Sequence, residues 1–74
     1  MLPVCQLLIV FHHPACEQAE DALMPLVEHG LQVELVDVAG QPDLADRVPL
    51  LRRVDTGAEL QWPFDTEALV HFLQ

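Results

Sequence analysis

Residues 4–21 read VCQLLIVFHHPACEQAED, and the fold turns on how this stretch divides. VCQLLIVF, residues 4–11, is an almost unbroken apolar run rich in β-branched and aromatic types, the pattern of a strand covered on both faces. His12, His13 and Pro14 end it. From Cys16 onward the periodicity changes: Ala19, Ala22, Leu23, Leu26 and Val27 recur at intervals of three and four, which predicts an amphipathic helix. Glu17, Glu20 and Asp21 fall in its first turns, where carboxylates complement the helix dipole. Gly30 is its natural stop, with His29 just inside. Pro25 interrupts the pattern and predicts a kink or a helix in two segments.

Working outward, QVELVDV (residues 32–38) alternates as a second strand. A strand, a helix and a strand in succession make a βαβ unit whose strands run parallel. GQPDLADR leaves room for a turn or two of helix around residues 42–46. PLLRRV and AELQW then flank DTG, which predicts a β-hairpin turning at Gly57. DTEALVHFL closes the chain as a helix, with Asp65 as N-cap, Glu67 in the first turn and Ala68, Leu69, Phe72 and Leu73 on its packing face. The predicted order is β-α-β-(α)-β-β-α in one α/β domain spanning residues 1–74.

Seventy-four residues allow one core. Half of them are apolar and a fifth charged, a balance that argues for a packed globular chain and against disorder. Twelve Asp and Glu against three Lys and Arg give a formal charge of −9, which argues against nucleic acid and anionic membranes as partners. Any anion-binding surface is confined to Arg47, Arg52 and Arg53 or to backbone N–H groups. MLPVCQLLIVF has no charged leader region, and its apolar run is well short of the roughly 20 residues of a membrane span. A cytoplasmic monomer is expected, its two cysteines serving packing, metal binding or redox chemistry.

The element order, the cysteine at the first strand-to-helix junction and RVPLL (residues 47–51) ahead of the hairpin resemble the thioredoxin fold. GAELQWPFD, residues 57–65, is similar to the end of the small bacterial glutaredoxin-like proteins, and the resemblance extends over essentially the whole chain. It implies a four-stranded mixed sheet flanked by helices, with a site made by the cysteine loop and a cis-proline loop. Cys16 matches the nucleophilic cysteine of the family's Cys-x-x-Cys, Pro49 the cis-proline, and Ala19 the position of the second, resolving cysteine. A mixed disulfide on Cys16 would then need an outside thiol for its release, which is monothiol chemistry. The lysine that usually precedes the cysteine in glutaredoxins proper, and their Gly-Gly pair, are both missing here, which weakens the case for glutathione as co-substrate.

Cys16 is the candidate catalytic residue. At a helix N-terminus its thiolate gains from unpaired N–H groups and the dipole, and loses from Glu17, Glu20 and Asp21. His12 and His13 either donate a proton to a leaving thiol or are exposed loop residues. The expected substrate-binding set is Val48, Pro49, Arg47, His13 and Pro14, receiving protein or small-molecule thiols and disulfides. Within it the Val48 main chain would pair with an extended peptide. Arg47 would either grip a carboxylate or answer Asp43 or Asp46. Cys5, in the first strand, lies about 20 Å or more from Cys16 on strand geometry and is assigned to packing. Trp62, Pro63 and Phe64 are likewise assigned to the fold. His12 or His13 with Cys16 are too few ligands for a closed metal site, and His29 and His71 belong to the ends of different helices, so no metal is expected. Two functions lead, a monothiol redox protein and a redox-inactive binding module that docks ligands at the proline edge; a third, thinly supported, is a metal or cluster held in a dimer through Cys16 thiolates and a small thiol.

Overall fold

The computed structural model describes residues 2–74. Val4–Ile9 forms β1, in which Cys5, Leu7, Leu8 and Ile9 are buried, so side chains on both faces of the strand are covered. Its neighbours are β2 (Gln32–Asp37), parallel to it, and β3 (Leu50–Arg53), antiparallel. β4 (Glu59–Gln61) pairs antiparallel with β3 and completes the order β2-β1-β3-β4. This is the four-stranded mixed sheet implied by the thioredoxin-fold resemblance.

The helix between the parallel strands, α1, spans Pro14–Glu28 and begins two residues before Cys16 because Pro14 occupies its first position, where a missing N–H costs nothing. Pro25 does not divide it into two segments. Pro25 lies on an exposed part of the helix near its end, and the residue four back whose carbonyl it cannot bond, Asp21, is exposed as well. Gly30 ends α1 with φ 105°: its N–H donates to the Val27 carbonyl and that of Leu31 to the Leu26 carbonyl, both at 3.0 Å, a Schellman closure.

The short helix α2, Pro42–Ala45, packs Leu44 beneath Leu8, Val38 and Leu50 on one face of the sheet. The other face carries the larger core. There Cys5, Leu7, Ile9 and Leu51 meet Cys16, Ala19 and Leu23 of α1, Phe64, and Leu69 and Leu73 of the last helix, α3 (Thr66–Leu73). Asp65 caps α3, its Oδ1 accepting from the Ala68 N–H at 2.8 Å. In a domain this small, truncating any one of these leucines to alanine removes about 2–5 kcal/mol from a total of similar size.

The hairpin turns at Gly57, whose φ of 76° is available to glycine at no steric cost. Its register places Leu50 opposite Gln61, Leu51 opposite Leu60 and Arg52 opposite Glu59. Trp62 and Phe64 follow the hairpin and pack edge to face with ring centroids 5.0 Å apart, as structural residues of the main core.

Candidate functional site

The candidate site begins where β1 gives out. The strand ends at Ile9, but apolar residues continue to Phe11, which is 61% exposed and stands at the lip of a cavity. His12 has φ 64°, a left-handed conformation that histidine tolerates better than bulky or β-branched residues. The chain thereby turns into His13, the N-cap of α1, which has no side-chain oxygen to satisfy the helix end. Its carbonyl serves instead, accepting from the N–H groups of Cys16 at 3.0 Å and Glu17 at 3.2 Å.

Cys16 is the third residue of α1 and lines a cavity of about 150 Å³ with His12, His13, Glu17 and Glu20. Asp21 is not part of its wall. Only 2% of Cys16 is exposed, so the thiol belongs to the core as much as to the cavity. His13 Nδ1 is buried without a hydrogen-bond partner, whereas His12 is exposed. Pro14, also exposed, fixes the helix start beside the cavity rather than lining it.

The Val48–Pro49 peptide bond is cis and Pro49 is buried. The Pro49 carbonyl accepts from the Trp62 N–H at 3.2 Å. Val48 packs against both core clusters, the larger of which contains Cys16. Among the described residues, neither the N–H nor the carbonyl of Val48 has a main-chain partner. The Trp62–Pro63 bond is also cis, a feature the sequence reading did not anticipate.

The pairing expected for Arg47 with Asp43 or Asp46 is not what forms. Its guanidinium donates to Glu59 Oε1 at 3.0 Å, while Arg52 donates to Oε2 of the same carboxylate at 2.8 and 3.1 Å. The cause is the hairpin register, which brings Glu59 directly opposite Arg52 and within reach of Arg47. These hydrogen bonds, first from Arg52 and then from Arg47, hold the Glu59 carboxyl below its usual range. Arg53 grips Asp55 with two bonds at 2.6 and 3.0 Å and donates to the main-chain oxygens of Phe72 and Gln74, each at 2.9 Å. All three arginines are thus engaged within the chain, and the possible anion surface noted in the sequence is occupied by the protein's own carboxylates.

Cys5 and Cys16 are both free thiols. Burial pushes the Cys5 thiol above its ordinary range, with a smaller opposing pull from Arg53. No three His, Cys, Asp or Glu side chains among the described residues gather as a metal site requires. No helix among them is long and apolar enough to cross a membrane.

A mixed β2-β1-β3-β4 sheet, with a cysteine in the first turn of the helix after β1 and a cis-proline ahead of β3, defines a thioredoxin-like α/β domain. The chain belongs to the glutaredoxin-like family: residues 8–74 match the glutaredoxin-like domain (DUF836). It is similar to the X-ray structure of the Northeast Structural Genomics target protein XcR50 from X. campestris, with 30% identity, 95% of each chain covered and a TM-score of 0.78. No curated protein matches the chain.

Proposed function

We propose that the protein exchanges thiols and disulfides through Cys16 alone. The observation that carries this reading is the pairing of Cys16, at a cavity wall with His12 and His13, with a buried alanine at position 19 where the family resemblance places a resolving cysteine. In the first step the Cys16 sulfur attacks one sulfur of a disulfide, forming a mixed disulfide and releasing the other sulfur as a thiolate, which His12 or His13 can protonate. An outside thiol then attacks the mixed disulfide, returns Cys16 to its reduced form and leaves with the first substrate sulfur in a new disulfide. Protein and small-molecule disulfides both fit this scheme. Glutathione fits less well, because the cavity wall carries Glu17 and Glu20 while Arg47, the candidate carboxylate grip, is held by Glu59.

A second reading, a binding module without redox turnover, is favoured by the 2% exposure of Cys16 together with the open main-chain groups of Val48. An extended peptide could pair with those groups as a short added strand. Intact mass measured after incubation with a small aromatic disulfide separates the two. The redox reading expects a single adduct on Cys16, absent in Cys16→Ser and removed by added thiol. A folded protein that acquires no adduct over hours overturns it and leaves the binding module.

A further inference from the structure

At the opposite end of the sheet order from β4 lies β2, and among the described residues no strand pairs with its outer edge. Edge strands are usually blunted by charged side chains, lysine above all, by proline, by a bulge or by a covering element, and the charges on β2 are the acids Glu34 and Asp37, which a basic partner would neutralise. β2 has neither lysine nor proline and pairs with β1 in unbroken register from Gln32 to Asp37. Next to it, Leu23, Met24 and Val27 of α1 and Leu7, Val33 and Leu35 of the sheet line a groove of about 200 Å³. Met24 and Leu35 are each 49% exposed, so the groove is an open apolar surface rather than part of the core.

Charge identifies what fits there. No lysine or arginine occurs before Arg47, and all three arginines are committed to Glu59 and Asp55 at the opposite end of the sheet. Glu20 forms part of the groove wall, Glu34 and Asp37 lie along β2, and Asp21 and Glu28 are on the same helix as Met24 and Val27. None of these acids has an ion-pair partner among the described residues. A second copy of the chain would bring the same carboxylates against each other in a molecule already at −9. We infer that the β2 edge and its groove dock an extended segment of a protein partner in which apolar residues alternate with lysine or arginine. The segment's main chain would extend the sheet, its apolar side chains would enter the groove against Leu35 and Met24, and its basic side chains would meet Glu34 on the other face. This docking requires no thiol and does not depend on the chemistry of Cys16.

The test is a titration of the full-length, isotope-labelled chain, followed by amide NMR, with three synthetic decapeptides. One alternates valine and lysine, one carries the same residues in two blocks, and one alternates valine and glutamate. The alternating valine–lysine peptide is expected to shift amides of residues 20–27 and 32–37 and to weaken with salt, while the other two bind less tightly. Leu35→Lys, an exposed position whose change leaves the core intact, should weaken binding about tenfold, and Cys16→Ser should leave it unchanged. The proposal is overturned if the alternating peptide produces no shifts at millimolar concentration, if the block peptide binds equally well, or if the shifts fall on residues 47–59. It is also overturned if the free chain dimerises through β2, which would assign the face to a second copy.

Discussion

Cys16 and Ala19 stand three residues apart on the same buried face of α1, 2% and 0% exposed. Residues at this spacing have Cβ atoms about 5–6 Å apart on a regular helix, slightly beyond disulfide range. Cys16 belongs to the first turn, which is held by the His13 carbonyl and no side-chain cap, and helix ends are the part that frays most readily to close such a distance. Ala19→Cys should therefore turn the site into a dithiol: after a small disulfide reacts, the adduct leaves without added thiol and the protein retains an internal bridge. Intact mass before and after tryptic digestion reads this directly. An adduct that persists in the variant would show that position 19 cannot resolve Cys16.

The other cysteine carries a prediction about pH. Burial raises the Cys5 thiol above its ordinary value of 9.0, against the weaker lowering effect of Arg53. The unfolded chain therefore releases this proton at a lower pH than the folded one, so the folded state binds more protons above pH 9. Stability linked to Cys5 is complete below that value and falls as pH rises through it toward the folded-state value. Urea midpoints measured between pH 8 and pH 10.5 should decline in the native protein and flatten in Cys5→Ala, which itself costs about 1 kcal/mol from the lost sulfur packing. Equal slopes in the two proteins would place the alkaline weakness elsewhere.

The order of elements was legible in the sequence because periodicity and turn residues agree at almost every junction: Gly30, Gly57 and Asp65 all act as the local chemistry requires. The start of α1 was not, because His13 has no capping oxygen and Pro14 resembles turn material as much as a first helical residue. Phe11 continues the apolar run of β1 and so reads as strand, but the strand ends at Ile9 and Phe11 lines the cavity instead. Cys16, His13 and the Val48–Pro49 pair could be singled out by residue type and resemblance, but the near-complete burial of Cys16 depends on Phe64, Leu69 and the rest of the core closing over it. The partners of Arg47 and Arg52 were hidden for a different reason. A twelve-residue separation from Arg47 to Glu59 becomes a contact only once the hairpin register is known.

That register makes Glu59 the shared anchor of two cations. Its carboxyl is held below the usual range by Arg52 and then Arg47, so the pairing contributes above the unfolded carboxyl value of 4.5 and is lost as pH falls through the lower folded value. Glu59→Gln should remove part of the acid limb of the stability profile and leave the alkaline limb untouched. Because the pair is exposed, the effect at neutral pH should be small and should shrink further in high salt. Thermal unfolding between pH 2.5 and pH 6 at low and high salt checks this, and an unchanged acid limb in the variant would mean that Glu59 carries no net linkage.

Arg53 should matter more than its neighbour Arg52 although both are paired. Its guanidinium ties the hairpin residue Asp55 to the main-chain oxygens of Phe72 and Gln74, so one side chain joins the β3–β4 turn to the C-terminal end of α3. The helix end there has unpaired carbonyls and the negative pole of its dipole, both of which a cation satisfies. Removing it strands those carbonyls as well as the Asp55 carboxyl, which Arg53 holds below its usual range. Arg53→Gln should lower Tm by several degrees, and Arg52→Gln by less. Lysine should restore only part of the loss, because an ammonium cannot present the planar fork that bridges a carboxylate and two carbonyls at once. Full rescue by Arg53→Lys would reduce the role of this residue to its charge, and equal effects of Arg53→Gln and Arg52→Gln would remove the helix cap from the account.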